Sequence, residues 1–190
     1  MKGWYDRGYL PHFDGGEILQ FITLHLADAV PQKLLDKWKL ELEREKKAAR
    51  RKLLFWRVEK YIDRGYGECC LKRREIAELV QNSLLHFDRK RYNLLSWTIM
   101  PNHLHCLLRP QENIELKDIM HSIKSYTGFK ANRLLGRRGK FWQEDYFDRY
   151  IRNYEHFESA VDYINLNPVK AGLCEKTADW KFGSAYYRVA

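Results

Sequence analysis

A chain of 190 residues is the size of one domain, and 45% hydrophobic with 14% aromatic content supplies material for a core, which excludes a disordered or fibrous protein. No apolar run reaches the roughly 18 residues of a spanning helix, and the opening residues carry no hydrophobic secretion segment, so a cytoplasmic protein without membrane spans is expected. The 34 Lys and Arg against 25 Asp and Glu leave a net charge of +9, which points to a polyanionic partner, either nucleic acid or an acidic membrane surface.

In chain order, residues 18–26 (ILQFITLHL) follow Gly15-Gly16 and read as a buried strand. From Pro31 the period becomes helical through Leu35, Trp38, Leu42, Ala49, Leu53 and Trp56, with a break near residues 46–51. Eleven Lys or Arg against five Asp or Glu between Lys33 and Lys60 make this outer face either solvated or a nucleic-acid contact. Gly65-Tyr66-Gly67 marks a turn, and residues 71–87 a second amphipathic stretch through Ile76, Leu79, Val80, Leu84 and Phe87. Residues 92–100 and 103–108 read as strands joined by Pro101-Asn102. A helix over 116–135 closes at Gly136, a basic loop and a short strand at 146–151 follow, and a final helix opens after Asn153 and ends near Asn167, before Pro168. This order predicts a single α+β domain over residues 1–190, ferredoxin-like (βαββαβ), with a basic helical insertion at 31–88 and a C-terminal helix. The cysteines Cys69, Cys70, Cys106 and Cys174 form no C-x-x-C pair, so reduced thiols are expected.

The sharpest local feature is His103-Leu104-His105. On a strand, side chains two apart share a face with Cα atoms about 7 Å apart, so both imidazoles can meet one cation while Leu104 and Cys106 face the core. Seven histidines also allow such a pair by chance, so ligation and plain burial both stand. In the last helix Phe157, Val161 and Ile164 form the apolar stripe, with Tyr163 to one side and His156 and Asn167 at spacings that share its face. Tyr163 is then either a half-buried tyrosine with a backbone partner or a nucleophile beside metal ligands. A phenol of pKa ~10 needs help to attack a phosphodiester. A divalent cation held by two His and one side-chain oxygen supplies it, and ester exchange keeps the bond energy, which suits a chain with no G-x-x-x-x-G-K-[ST] loop.

Residues 100–105 (MPNHLH) and 163–173 (YINLNPVKAGL), with 124–127, 139–143, 148–152 and Asp179-Trp180, resemble the REP-associated tyrosine transposases of the HUH single-strand transposases. The similarity covers most of 91–184. It implies a ferredoxin-like HUH domain and a metal-dependent, single-stranded DNA endonuclease and strand transferase that forms a 5′-phosphotyrosine link at palindromic hairpins. By that resemblance His103 and His105 hold Mg²⁺ or Mn²⁺, Asn167 is the third ligand and Tyr163 the nucleophile. The smallest members lack a stretch like 31–88, which is expected to be added DNA surface.

Tyr126 is the rival nucleophile, although it continues the apolar ladder of Ile119 and Ile123. Glu144, Asp145 and Asp148 either complete the metal site or pair with nearby arginines. The expected DNA contacts are Lys124, Lys130, Arg133, Arg137, Arg138, Lys140, Arg149 and Arg152 on phosphates, and Trp142 either stacks a base or sits in the core. The protein is expected as a monomer or homodimer. Besides the transferase, a hairpin-binding protein that no longer cuts and a nuclease that uses water remain as alternatives.

Overall fold

The computed structural model describes residues 3–6, 11–14 and 16–187; Gly15, expected before the first strand of the sheet, lies outside them. Two short strands, β1 (Gly3–Asp6) and β2 (Pro11–Asp14), pair antiparallel ahead of the main sheet. At four residues each they are too short for a period-two signal. The central strand β3 (Gln20–His25) is buried along its whole length and pairs with β5 (His103–Pro110) on one side and β6 (Phe147–Tyr150) on the other. With β4 (Tyr92–Ile99) beside β5, the order is β4-β5-β3-β6, all antiparallel.

Between β3 and β4 runs α3 (Arg74–His86), and between β5 and β6 runs α4 (Leu116–Leu134). Those two crossovers complete βαββαβ, so the ferredoxin-like architecture holds. The added pair is α1 (Gln32–Glu41) and α2 (Lys47–Ile62), so the 31–88 stretch contains an insertion and also the first crossover helix. No helix among the described residues is long and apolar enough to cross a membrane.

The side-chain period of two divides the sheet. One face presents Ile22, Leu24, Leu104, Cys106 and Leu108 to α3 and α4, which bury Ile76, Val80 and Leu84 and Ile119, Met120 and Ile123. The other presents Phe21 and Leu107 to the last long helix, α5 (Tyr154–Lys170), through Ala160 and Ile164. Beside α5 on that face lies α2, whose Phe55 ring meets Phe21 and Phe147 at 6.4 and 5.4 Å.

Two sequence expectations are corrected by packing. Leu53 and Trp56, expected on the inner stripe of α2, are 41% and 46% exposed, while Leu54, Val58 and Ile62 are buried. Both stripes are apolar and differ by about one residue, or ~100° of helix. Only the neighbours choose between them. The helix expected to stop at Asn167 runs to Lys170 with Pro168 inside it. Proline removes one ladder bond near the end, and the helix still closes with Ala171 N donating to the Asn167 carbonyl at 3.0 Å. Burial of Asn167 and Pro168 holds the residue before proline helical against its usual bias.

Past α5 the chain runs back along β4. Ser184, at the start of α6 (Ser184–Tyr187), bonds Ser96 at 2.9 Å and Trp97 N at 3.2 Å, and Trp180 Nε1 donates to the Ile99 carbonyl at 3.1 Å. That covers an edge strand with unpaired backbone groups. All four cysteines are free.

Candidate active site

His103 and His105 sit on β5, on the face covered by α2 and α5, opposite His25 and Thr23 of β3. Each ring is fixed through Nδ1. His103 Nδ1 meets Asn102 Oδ1 at 2.7 Å, and His105 Nδ1 meets Thr23 Oγ1 at 2.9 Å. Where the His105 proton sits on Nδ1, Thr23 Oγ1 accepts it and the Nε2 lone pair is free. Asn102 acts in the same way on His103, since its Nδ2 is committed to the carbonyls of Ile62 (3.0 Å) and Tyr66 (2.9 Å), so that Oδ1 accepts. The ring centroids lie 4.7 Å apart, and both Nε2 atoms are buried without a hydrogen-bond partner.

Those nitrogens face α2 and α5. Asp63, the residue that ends α2, places Oδ1 3.8 Å from His103 Nε2, and Glu59, one turn earlier, places Oε2 3.6 Å from His105 Nε2. Tyr163 donates its hydroxyl to the same Glu59 Oε2 at 2.5 Å, with its ring 5.2 Å from His105 and 5.8 Å from Phe21. Asn167, one turn further along α5, lies near enough to that hydroxyl to favour its ionised form, against the pull of burial and Glu59. Lys170 stands with Nζ 5.9 Å over the Tyr163 ring. Thus β5, α2 and α5 converge on one point. His156 does not join it: its ring accepts from Arg152 N at the start of α5.

Burial dominates the electrostatics. It pushes His105 down to about 3 and, aided by His105 and His25, holds His103 well below its usual 6.5, so both rings are neutral at pH 7. Neutral imidazole is the form that binds metal. Burial raises Glu59 to about 8 against the hydrogen bonds of Tyr163 and Thr23, and raises Asp63 to about 6 against the pull of Lys170. Burial first, and the Glu59 carboxylate second, hold the Tyr163 phenol well above its usual 10. Two buried lone pairs with no hydrogen to accept, beside oxygen donors, fit a divalent cation.

Neither Glu59 nor Asp63 is among the site residues that the sequence pattern singles out. The signal was a carboxylate pair at i, i+4 with Glu59 amid Leu54, Phe55, Val58 and Ile62, hidden by reading the helix from Leu53 and Trp56. The acids that were foreseen lie elsewhere. Glu144 pairs with Lys140 at 2.8 Å, Asp148 is registered opposite Ile22 on the far face, and Asp145 Oδ1 accepts from Tyr146 N.

The basic candidates divide between the two layers. Lys124, Lys130 and Arg133 belong to α4, on the far face from the histidines, and Arg138 and Lys140 are exposed in the loop after it. Arg149 on β6 shares the histidine face, with Arg152 just before α5. Arg137 is tied into the protein: it pairs with Glu68, donates Nε to Asn132 Oδ1 at 3.2 Å and lies 5.7 Å over Phe141. Trp142 is 5% exposed and donates Nε1 to Thr127 Oγ1 at 2.8 Å, so it is a core residue whose faces no base can reach. Tyr126, expected to pack, is 51% exposed on α4, and Phe129 is 61% exposed beside it. Lys130 and Arg133 lie 6.0 and 5.7 Å over those two rings. Tyr126 is therefore accessible but on the wrong side of the sheet for the imidazoles.

Residues 70–167 match the family described as "Transposase IS200 like". The chain is 26% identical over 115 residues to the REP-associated tyrosine transposase of Escherichia coli strain K12, covering 60% of this chain and 67% of that protein. It is 29% identical over 96 residues to a Haemophilus influenzae protein provisionally given the same name, covering 45% of this chain and 54% of the relative. A solved REP-associated tyrosine transposase bound to a REP hairpin shares the fold, with a TM-score of 0.58 at 20% identity over 97% of this chain and 84% of that one.

Proposed function

This chain belongs to the IS200-like transposase family of enzymes, and from that premise we propose that it cuts and rejoins single-stranded DNA at REP-type hairpins through Tyr163. The observation that carries the reading is the meeting of the Tyr163 hydroxyl and two unpartnered imidazole nitrogens around one buried carboxylate. His103, His105 and Asn167 hold Mg²⁺ or Mn²⁺. When bound, the cation polarises a phosphate oxygen and offsets charge that develops during transfer.

Tyr163 Oη attacks phosphorus, an O–P bond forms to the phenol, and the bond from phosphorus to the 3′ oxygen breaks, that oxygen taking a proton from solvent as it leaves. The 5′-phosphotyrosine conserves the ester, and the freed 3′ hydroxyl reverses the step on rejoining. Glu59 Oε2, already in a hydrogen bond with the phenol, is the acceptor in place for its proton once the carboxylate, held up to about 8 by burial, is ionised. Asn167 and Phe21 orient the phenol. Asp63 and Lys170, both exposed, mark the side from which a phosphate enters. The Tyr163 ring lies against His105 of its own chain, which supports use in cis by a monomer or by each protomer of a homodimer.

Hairpin binding is assigned to phosphate contacts by Lys124, Lys130, Arg133, Arg138, Lys140, Arg149 and Arg152, with bases stacked on Tyr126 and Phe129. The test is incubation of a hairpin-flanked single strand with the protein and Mn²⁺, resolved on a denaturing gel. A covalent adduct that disappears in Tyr163→Phe is the expected result. Binding without an adduct in the native protein makes it a hairpin-binding module, and cleavage that survives the substitution makes it a water-using nuclease.

A further inference from the structure

The inserted helices are not part of the stretch that matches the family, which begins at residue 70, yet α2 ends at the histidines. We propose that Asp63, carried by this insertion, is a carboxylate ligand of the same cation as His103 and His105. The inference rests on the metal-dependent reading above and adds a ligand from outside the tyrosine helix.

The geometry singles out Asp63. One of its oxygens and the Nε2 atoms of His103 and His105 all lie within 4.8 Å of one another. Donors held about 2.1 Å from a common ion are separated by about 3 to 4.2 Å, depending on the angle between them. The 3.8 Å from Asp63 Oδ1 to His103 Nε2 falls in that range and is too long for a hydrogen bond. Glu59 is the competitor, but its Oε2 already accepts the Tyr163 hydroxyl, whereas the Asp63 side chain accepts no hydrogen bond from the described residues. The two nitrogens are buried and unpartnered, so the cluster is more than a group of surface acids.

The end of α2 is also held in place by the strand turn. Asn102, whose Oδ1 meets His103 Nδ1, donates through Nδ2 to the Ile62 carbonyl, immediately before Asp63. A single side chain therefore sets both the ring of one ligand and the backbone of the other. Asp63 adds a hard, anionic oxygen to two nitrogens, which shifts the preference of the site toward Mn²⁺ or Mg²⁺ over Zn²⁺.

The experiment is calorimetric titration of the full chain with MnCl₂ and, separately, ZnCl₂, on the native protein, Asp63→Asn, Asn167→Ala and His103→Ala. Thermal melts in EDTA confirm that each variant folds. Asp63→Asn is expected to weaken Mn²⁺ binding by roughly tenfold or more, with a smaller loss for Zn²⁺. A smaller Mn²⁺ loss, or equal losses for both ions as removal of a distant charge produces, overturns the ligand assignment. If His103→Ala abolishes binding while Asp63→Asn leaves it intact, the metal-dependent reading stands and only the role of Asp63 falls. If the native chain binds neither ion, both fall.

Discussion

Replacing Asn102 by Ala is the most informative single perturbation, because this side chain joins the insertion to the strand that carries the histidines. Three hydrogen bonds are lost, the buried ones to the Ile62 carbonyl and from His103 Nδ1 and a half-buried one to the Tyr66 carbonyl. At ~1 kcal/mol net for each, the expected loss is about 3 kcal/mol. The Ile62 carbonyl keeps the Gly65 N–H at 2.9 Å, which limits the further cost of an orphaned acceptor. For a domain of this size that loss lowers Tm by about 6 to 12 °C. Urea unfolding in EDTA, read by tryptophan fluorescence, measures it without a contribution from metal. With its Nδ1 partner gone, the His103 ring is free to turn, and Mn²⁺ affinity is expected to fall roughly tenfold. A stability loss under about 1 kcal/mol with unchanged affinity would refute the claim that Asn102 couples the two parts.

Other outcomes follow from the same structure. His25 is held at about 4 by burial, against 6.5 when unfolded, so the unfolded chain takes up the proton first and stability falls as pH drops from about 6.5 to about 4, then levels off. That part of the acid sensitivity, about 3 kcal/mol over the full window, should vanish in His25→Leu when urea midpoints are compared at pH 7 and pH 4.5. Trp142→Ala should cost about 3 to 5 kcal/mol in chemical denaturation, whereas Phe129→Ala should leave stability within about 0.5 kcal/mol and weaken binding to a single-stranded hairpin probe by about 1 to 3 kcal/mol. The reverse pattern would return the stacking role to Trp142. Arg138→Ala should reduce the slope of log K against log salt for that probe by about one phosphate contact, while Arg137→Ala should register mainly as lost stability through Glu68 and Asn132.

Much of the site is legible in the residues because it depends on short-range periodicity. An i, i+2 pair on a strand has to share a face, and His103 and His105 do, with Leu104 and Cys106 turned into the opposite core. Residues four apart on a helix stack, which brings Tyr163 and Asn167 together. The order of strands and helices is readable for the same reason, except where Pro168 is overruled by burial. What no local pattern contains is the element lying opposite. Leu53 with Trp56 and Leu54 with Val58 are equally good stripes until Phe55 meets Phe21 and Phe147, a rotation of the helix that buries Leu54, Val58 and Glu59 and leaves Leu53 and Trp56 exposed. Trp142 between charged neighbours reads as a surface ring until Thr127 and Phe141 close over it.

The chain alone therefore determined which groups share a face of one strand or one helix, since backbone geometry sets those neighbours within a few residues. Only the tertiary structure decided that a basic insertion delivers two carboxylates to the histidines. Glu59 meets Tyr163 across 104 positions of sequence, and such a contact is selected by the packing of whole faces against each other.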